Sequence, residues 1–165
     1  MTRAFMILTY IFGGGGIALA FYFLSSPGRH EDEAMLVLTV ALCVIVGGLS
    51  WVRHFLLWKS DSRALGIQEE TPFFHWEVGF ANGAFALAGL LAVVLGWGVE
   101  AMAAVVLAYT LYLLQAAVLH GWRYFSGQSR TPARLWGSFV GLGAMCVLVI
   151  VATVMALSSA DKLLL

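Results

Sequence analysis

Five long apolar blocks constrain the fold of this chain more than any other feature of its sequence. A helix rises 1.5 Å per residue and the hydrocarbon core of a bilayer is about 30 Å thick, so one crossing needs roughly 20 mainly apolar residues. Blocks of about this length or a little longer cover residues 4–24, 35–58, 73–98, 101–125 and 135–157, and residues 59–71 connect the second to the third. We therefore predict a single all-α domain over residues 1–165, an integral membrane bundle of five transmembrane helices.

The composition agrees with a lipid environment. The chain is 61% hydrophobic and 11% charged, whereas a soluble domain is about 45–50% apolar and about 25% charged. Its formal net charge is zero, so there is no basic excess of the kind that nucleic-acid binding requires. We expect a multi-pass protein of the cell (inner) membrane, in contact with the lipid bilayer and with no nucleic-acid partner.

The distribution of basic residues predicts the orientation, because Lys and Arg accumulate on the cytoplasmic side of membrane proteins. One side of the predicted bundle carries Arg3, Arg53, Lys59, Arg63, Arg123, Arg130 and Arg134. The other side carries only Arg29 and Lys162. The N-terminus is therefore expected in the cytoplasm and the C-terminus outside.

The first block has an alternative interpretation as a cleaved signal peptide, because Arg3 precedes its apolar run. The run is longer than a usual signal core and lacks a convincing small-x-small site before Ser25, so we expect it to remain as the first helix. Its consecutive glycines, Gly13 to Gly16, weaken a helix but allow close approach of another backbone. Tight helix packing is the expected reason for them, and a flat ligand is the alternative.

Three ionisable side chains are predicted at one height in the cytoplasmic leaflet. His54, Glu77 and His120 each lie about one turn from the inner end of their predicted helix. Their helical faces also carry small residues, which neighbouring membrane helices pack against. We therefore expect all three side chains to point into the bundle, where ionisable groups in membranes usually lie.

Several interpretations of this cluster stay open. Two imidazoles and a carboxylate could bind a transition metal with one open position. His54 and His120 could instead ligate one haem iron. The cluster could also be a hydrogen-bonded packing contact, or part of a pathway for protons or small solutes.

Other polar and sulfur-containing residues have simpler expected roles. Asn82 and Gln115 form a second polar level about two turns deeper. His75 points nearly opposite to Glu77 on a helical projection, so we expect it to face the lipid headgroups. Cys43 and Cys146 lie in different blocks without CxxC spacing and are expected to be small buried apolar residues.

The most distinctive stretch runs from Thr71 to Gly83 and reads Thr-Pro-Phe-Phe-His-Trp-Glu-Val-Gly-Phe-Ala-Asn-Gly, preceded by Leu65-Gly-Ile67. It resembles the central run of a family of small prokaryotic multi-pass membrane proteins whose domain has no assigned function. That run has Pro-Phe, an aromatic residue and then Glu-Val-Gly-Phe-Ala-Asn. The resemblance covers roughly residues 40–125.

The resemblance implies that His54, Glu77, Asn82 and His120 belong to one shared design, and it implies no activity. The chain departs from the family in the loop after the fourth helix, where it has Gly127-Gln-Ser-Arg130 in place of a loop containing asparagine. If that asparagine completes a site, the site is altered in this chain.

No nucleophile elbow, P-loop, HExxH motif or dinucleotide fingerprint occurs in the sequence. An enzymatic role is therefore less expected than a binding role. The predicted function is a membrane protein that binds a metal or haem, or an accessory subunit of a membrane complex. A purely structural subunit, a homo-oligomer and a small proton or solute transporter are the alternatives.

Overall fold

The protein is seen in a computed structural model that describes residues 2–28, 30–65, 71–127, 130, 132 and 134–160. All regular secondary structure in these residues is helical. Arg29 and Lys162, on which the orientation argument relies, lie outside the described residues, as do Gly66 and Ile67 of the family-like stretch and Gln128 and Ser129 of the loop after the fourth helix.

Within the described residues, five helices are long and apolar enough to cross a membrane. They are Ala4–Ser25, Glu31–Phe55, Phe73–Val94, Val99–Phe125 and Arg134–Ser158, named here the first to fifth spans. The prediction of an all-α, multi-pass architecture is confirmed at this level. The predicted ends agree with these bounds to within four residues.

The second span changes its winding along its length. It begins as an α-helix over Glu31–Leu38, continues as a π-helix over Thr39–Gly47 and returns to an α-helix over Gly48–Phe55. The fifth span likewise begins with a π-helical segment, Arg134–Gly141. In a π-helix the backbone hydrogen bonds join residues five apart, so a pattern based on 3.6 residues per turn does not follow side-chain directions through these segments.

A short helix, Trp58–Leu65, lies between the second and third spans, where the sequence predicted only a connection. We name it the connecting helix. It is polar, with the sequence Trp-Lys-Ser-Asp-Ser-Arg-Ala-Leu, and it packs against the end of the second span and against the first span. The connecting helix is therefore packed as part of the bundle.

The second span is the most buried of the five. It packs closely on the third span through glycines, because a methyl group on Gly89 would lie only 2.6 Å from the Cβ atom of Cys43. Cys43 and Cys146 are buried free thiols, so their prediction as buried apolar residues is confirmed.

The glycine run of the first span is used in part for packing. A methyl group on Gly13 would meet the sulfur of Met145 at 3.0 Å, and one on Gly16 would collide with Ala41. Gly14 and Gly15 have open space beside them. The expected tight packing therefore holds for two of the four positions.

The apolar core is formed mainly by the first, second, fourth and fifth spans, around Met35, Leu38, Val106 and Val149, and the third span contributes Ala92. Large apolar side chains are also exposed along the outside of every span. A water-soluble protein of this size does not expose so much apolar surface in continuous bands. The exterior is therefore suited to lipid.

Candidate metal centre at one end of the bundle

Three chain segments meet where the second span ends and the third begins. His54 lies in the last turn of the second span, Asp61 lies in the middle of the connecting helix, and His75 lies in the first turn of the third span. Only Leu56 and Leu57 separate the second span from the connecting helix. This short connection lets the connecting helix pack against the end of the bundle. The carboxylate of Asp61 is thereby placed next to both imidazoles.

The three side chains converge on one point. The Nδ1 atom of His54 lies 2.8 Å from the Oδ2 atom of Asp61, and the Nδ1 atom of His75 lies 3.6 Å from that same oxygen. One potential ligand atom from each residue lies within 4.8 Å of the other two. All three residues are buried, with His75 and Asp61 at 0% and 1% exposure.

Arg53 is the cationic neighbour of this cluster. Its Nε atom lies 3.2 Å from the Oδ1 atom of Asp61, and its Nη2 atom lies 2.8 Å from the Nε2 atom of His54. Because a guanidinium group only donates hydrogen bonds, the Nε2 atom of His54 must accept. The proton of a neutral His54 ring is therefore on Nδ1, from which it is donated to Asp61.

Ser62 orients the second imidazole. Its Oγ atom lies 2.7 Å from the Nε2 atom of His75, which leaves the Nδ1 atom of that ring facing Asp61. The two imidazole rings stack at a centroid distance of 5.9 Å, and the Trp58 ring lies 6.4 Å from that of His75. Each imidazole is thus held from its far side, and both Nδ1 atoms face the same carboxylate.

The pKa of Asp61 reflects these contacts. Burial acts to raise the pKa of this carboxyl group, but the hydrogen bond from His54 and the positive charge of Arg53 outweigh burial and hold the pKa below its ordinary value. A carboxylate with a lowered folded-state pKa stabilises the fold above its unfolded pKa, near 3.9, and that stabilisation is lost as the pH falls through the folded value.

We therefore expect the Asp61 contribution to stability to be constant between about pH 7 and pH 5, to begin to fall near pH 4, and to be lost as the pH drops through the lowered folded-state pKa of Asp61. Unfolding of the detergent-solubilised protein, followed by circular dichroism at a series of pH values, measures this dependence. Asp61→Asn is the reference, because its stability curve lacks this component. If the two curves stay parallel from pH 7 down through pH 4 and below, so that the wild type loses no stability relative to Asp61→Asn, the assignment is wrong.

Two sequence predictions at this end of the bundle are wrong. Glu77 was expected to point into the bundle, but its side chain is exposed on the outside of the third span. His75 was expected to face headgroups, but it is completely buried. The sequence correctly placed Glu77 and His75 on opposite sides of the helix. The side that packs into the bundle is the one with His75, and not the one with Glu77.

His120 does not join the cluster. Within the described residues, the group of potential metal ligands contains His54, Asp61 and His75, and neither Glu77 nor His120. The His120 side chain is half-buried, and its Nδ1 atom is buried without a hydrogen-bond partner in that part of the chain. The residues that the family resemblance groups together therefore do not form one cluster in this structure.

The second polar level is also divided. Asn82 is buried and accepts a hydrogen bond from the hydroxyl group of Tyr109 at 2.8 Å, while its amide nitrogen donates to the carbonyl oxygen of Val78 at 2.7 Å. Gln115, in contrast, is exposed on the outside of the fourth span. The two amides therefore do not face a common ligand.

Asp61 was missed because it lies in a segment that sequence reasoning treated as a connection. One signal was present. Between Arg53 and Arg63, Asp61 is the only acidic residue, and it is flanked by two serines. A lone carboxylate among several cations, beside a membrane helix that ends in histidine, indicates a buried ion pair.

The contacts of Ser62, His75 and Asp61 follow the order of a serine hydrolase triad, but their geometry does not support nucleophilic catalysis. The 3.6 Å separation between His75 and Asp61 is too long for a hydrogen bond. Asp61 is instead held by His54 and Arg53. Ser62 is 6% exposed, so its hydroxyl group is poorly accessible to a substrate. Ser62 therefore orients His75.

Comparison with known proteins gives a family and no activity. No curated protein and no solved structure matches the chain. One family model, described as a family of unknown function (DUF6790), matches residues 4–162. This match extends well beyond the stretch that carried the resemblance in the sequence. The chain therefore belongs to this family of unknown function.

Proposed function

We propose that this multi-pass membrane protein binds a divalent transition-metal ion through His54, Asp61 and His75. The observation that carries the proposal is the convergence of two imidazole nitrogens and one carboxylate oxygen within 4.8 Å, in a buried position. Two histidines and a carboxylate are the ligand set of several zinc and non-haem iron sites. The proposal keeps the predicted chemistry but changes the carboxylate from Glu77 to Asp61.

The distances support an ion of this kind. Zinc binds nitrogen and oxygen ligands at about 2.0–2.1 Å, so tetrahedral ligand atoms lie about 3.3 Å apart. The separations of 2.8 Å and 3.6 Å from the Asp61 oxygen to the two imidazoles fall on either side of this value. Side-chain movements below 1 Å are therefore enough to adjust both of these separations. With three protein ligands, the fourth tetrahedral position of the metal ion would be open.

The neighbours of the two histidines have opposite effects on metal binding. Ser62 suits a metal-bound His75, because metal-ligating imidazoles usually donate their other N–H group to an oxygen acceptor. Arg53 opposes a metal-bound His54, because it donates to the nitrogen that would need to carry the proton. Metal binding therefore requires Arg53 to turn away from His54.

A haem site receives less support from this geometry. Both ring nitrogens of His54 already have a partner at 2.8 Å, so an iron atom between His54 and His120 would displace one of them. His120 is also not part of the converging group. A single ion beside Asp61 needs a smaller rearrangement.

We further propose that the site faces the cytoplasm of a cell (inner) membrane. The candidate metal centre lies at the end of the bundle where the second span ends and the third begins. Arg53, Lys59, Arg63 and Arg123 lie at that end of their helices, which is the pattern of a cytoplasmic surface.

Titration of the detergent-purified protein with Co²⁺ tests the metal proposal. We expect one Co²⁺ per chain, a visible absorption spectrum typical of a tetrahedral site with nitrogen and oxygen ligands, and displacement by Zn²⁺. His54→Ala and His75→Ala should each weaken Co²⁺ binding by about 100-fold or more, because each removes one of only three protein ligands.

Glu77→Gln and His120→Ala are matched controls, since each removes an ionisable side chain from the same end of the bundle without touching the proposed ligands. Both should retain Co²⁺ binding. A wild-type protein that binds no Co²⁺, or a spectrum that is lost in Glu77→Gln and kept in His75→Ala, would overturn the proposal.

A further inference from the structure

The side chain of Gln115 projects from the fourth span at membrane depth. Gln115 is exposed, and it lies roughly 15 Å along the helix from the end at Phe125 and roughly 24 Å from the start at Val99. Within the described part of the chain its carboxamide has no hydrogen-bond partner. A primary amide left without a partner in hydrocarbon is costly, so this position calls for a partner outside the chain.

Gln115 belongs to a continuous exposed face of the fourth span. This face, named here the Gln115 face, consists of Ala104, Ala108, Leu111, Gln115, Val118 and Trp122. Successive members are alternately four and three residues apart, which is the spacing of a seam between two helices that cross at a small angle. The two alanines, four residues apart, allow two helix backbones to approach closely.

We propose that the Gln115 face binds the same face of a second copy of this chain. A carboxamide both donates and accepts hydrogen bonds, so it is its own complement. We consider two copies that are inserted in the same orientation and related by a twofold axis normal to the membrane. In such a dimer, a residue close to the axis faces the same residue of the other copy. Each Gln115 then donates to the carbonyl oxygen of the other, and both are satisfied without any additional component.

The exposed face of the third span does not offer the same self-complementarity. Its exposed polar residue is Glu77, and two ionised carboxylates facing each other would repel. Glu77 also lies close to the start of the third span, where its carboxylate can reach the boundary between the membrane and water. The amide of Gln115 therefore identifies the fourth span as the contact between copies.

Energy transfer between two populations of labelled full-length protein in liposomes tests this proposal. The wild-type protein should show transfer that falls as the protein is diluted with lipid. Gln115→Leu should weaken the association about three- to tenfold, the effect expected for interhelical hydrogen bonds in membranes. Because Gln115 is exposed, this substitution leaves the packing within each chain intact.

Cysteine cross-linking in the same liposomes locates the contact. Ala108→Cys should form a disulfide-linked dimer under mild oxidation, whereas Leu87→Cys, which is exposed on the third span, should not. Wild-type protein controls for the buried native cysteines. The proposal fails if the wild type shows no dilution-dependent transfer, or if Gln115→Leu has no effect and cross-linking occurs at Leu87 but not at Ala108.

Discussion

Asp61→Asn is expected to lower the free energy of unfolding by about 3 kcal/mol, in the lower part of the range measured when one partner of a buried ion pair is removed. Asp61 is 1% exposed and contacts Arg53 and His54. An asparagine of nearly the same shape keeps the packing but leaves the half-buried guanidinium of Arg53 without a counter-charge. The same change should abolish Co²⁺ binding, because it removes the only anionic ligand.

Unfolding by sodium dodecyl sulfate in mixed micelles, with and without metal, measures both effects. Asp32→Asn is the matched control, because it makes the same substitution at an exposed acid in the first turn of the second span. The control should stay within about 0.5 kcal/mol of the wild type. If both variants are equally stable, Asp61 does not link the connecting helix to the bundle.

The membrane fold could be read from the sequence because it depends on the length and apolarity of whole segments. Five blocks of about 20 residues have few alternatives in a chain of 165 residues. Such properties do not depend on which helix is next to which.

The position of Glu77 could not be read in this way. The face that it shares with Ala81, Ala84 and Ala88 was interpreted as an inward stripe of small residues. In the structure Ala84 is also exposed, since small side chains occur on lipid-facing surfaces as well as in helix contacts. The side that actually packs inward carries His75, Gly79 and Asn82, and choosing between the two sides requires knowledge of the neighbouring helix.

Asp61 was missed for a different physical reason. The connecting helix is polar and only eight residues long, and isolated helices of that length are marginal in water. Its helical form is stabilised by tertiary contacts, which include the ion pair between Arg53 and Asp61. A polar segment whose structure depends on one buried carboxylate looks like a loop when it is considered alone.

Arg53 distinguishes a metal centre from a purely structural ion network. In the structure Arg53 neutralises Asp61 and donates to His54, so it satisfies the two groups that a metal ion would otherwise hold. A structural network needs this arginine, whereas a metal site competes with it. The two interpretations therefore predict opposite effects of removing its charge once metal is present.

Arg53→Gln is expected to tighten Co²⁺ binding by about 10- to 100-fold. At an effective dielectric constant of about 20, a guanidinium group roughly 6 Å from a divalent ion raises the free energy of metal binding by about 5 kcal/mol. Rotation of the Arg53 side chain toward the water at the membrane surface relieves most of this repulsion. The glutamine also no longer forces the Nε2 atom of His54 to accept a hydrogen bond. Titration with Co²⁺ at constant pH and salt measures the change.

Arg63→Gln is the matched control, because it removes the same charge from an exposed position on the connecting helix. Salt screens an exposed charge, so its effect on Co²⁺ affinity should stay below about threefold. Without metal, Arg53→Gln should be less stable than the wild type, since Asp61 loses its cation, and saturating Co²⁺ should restore the difference. If Arg53→Gln binds Co²⁺ no better than Arg63→Gln and stays equally destabilised with the metal present, the cluster is an ion network that joins the connecting helix to the bundle.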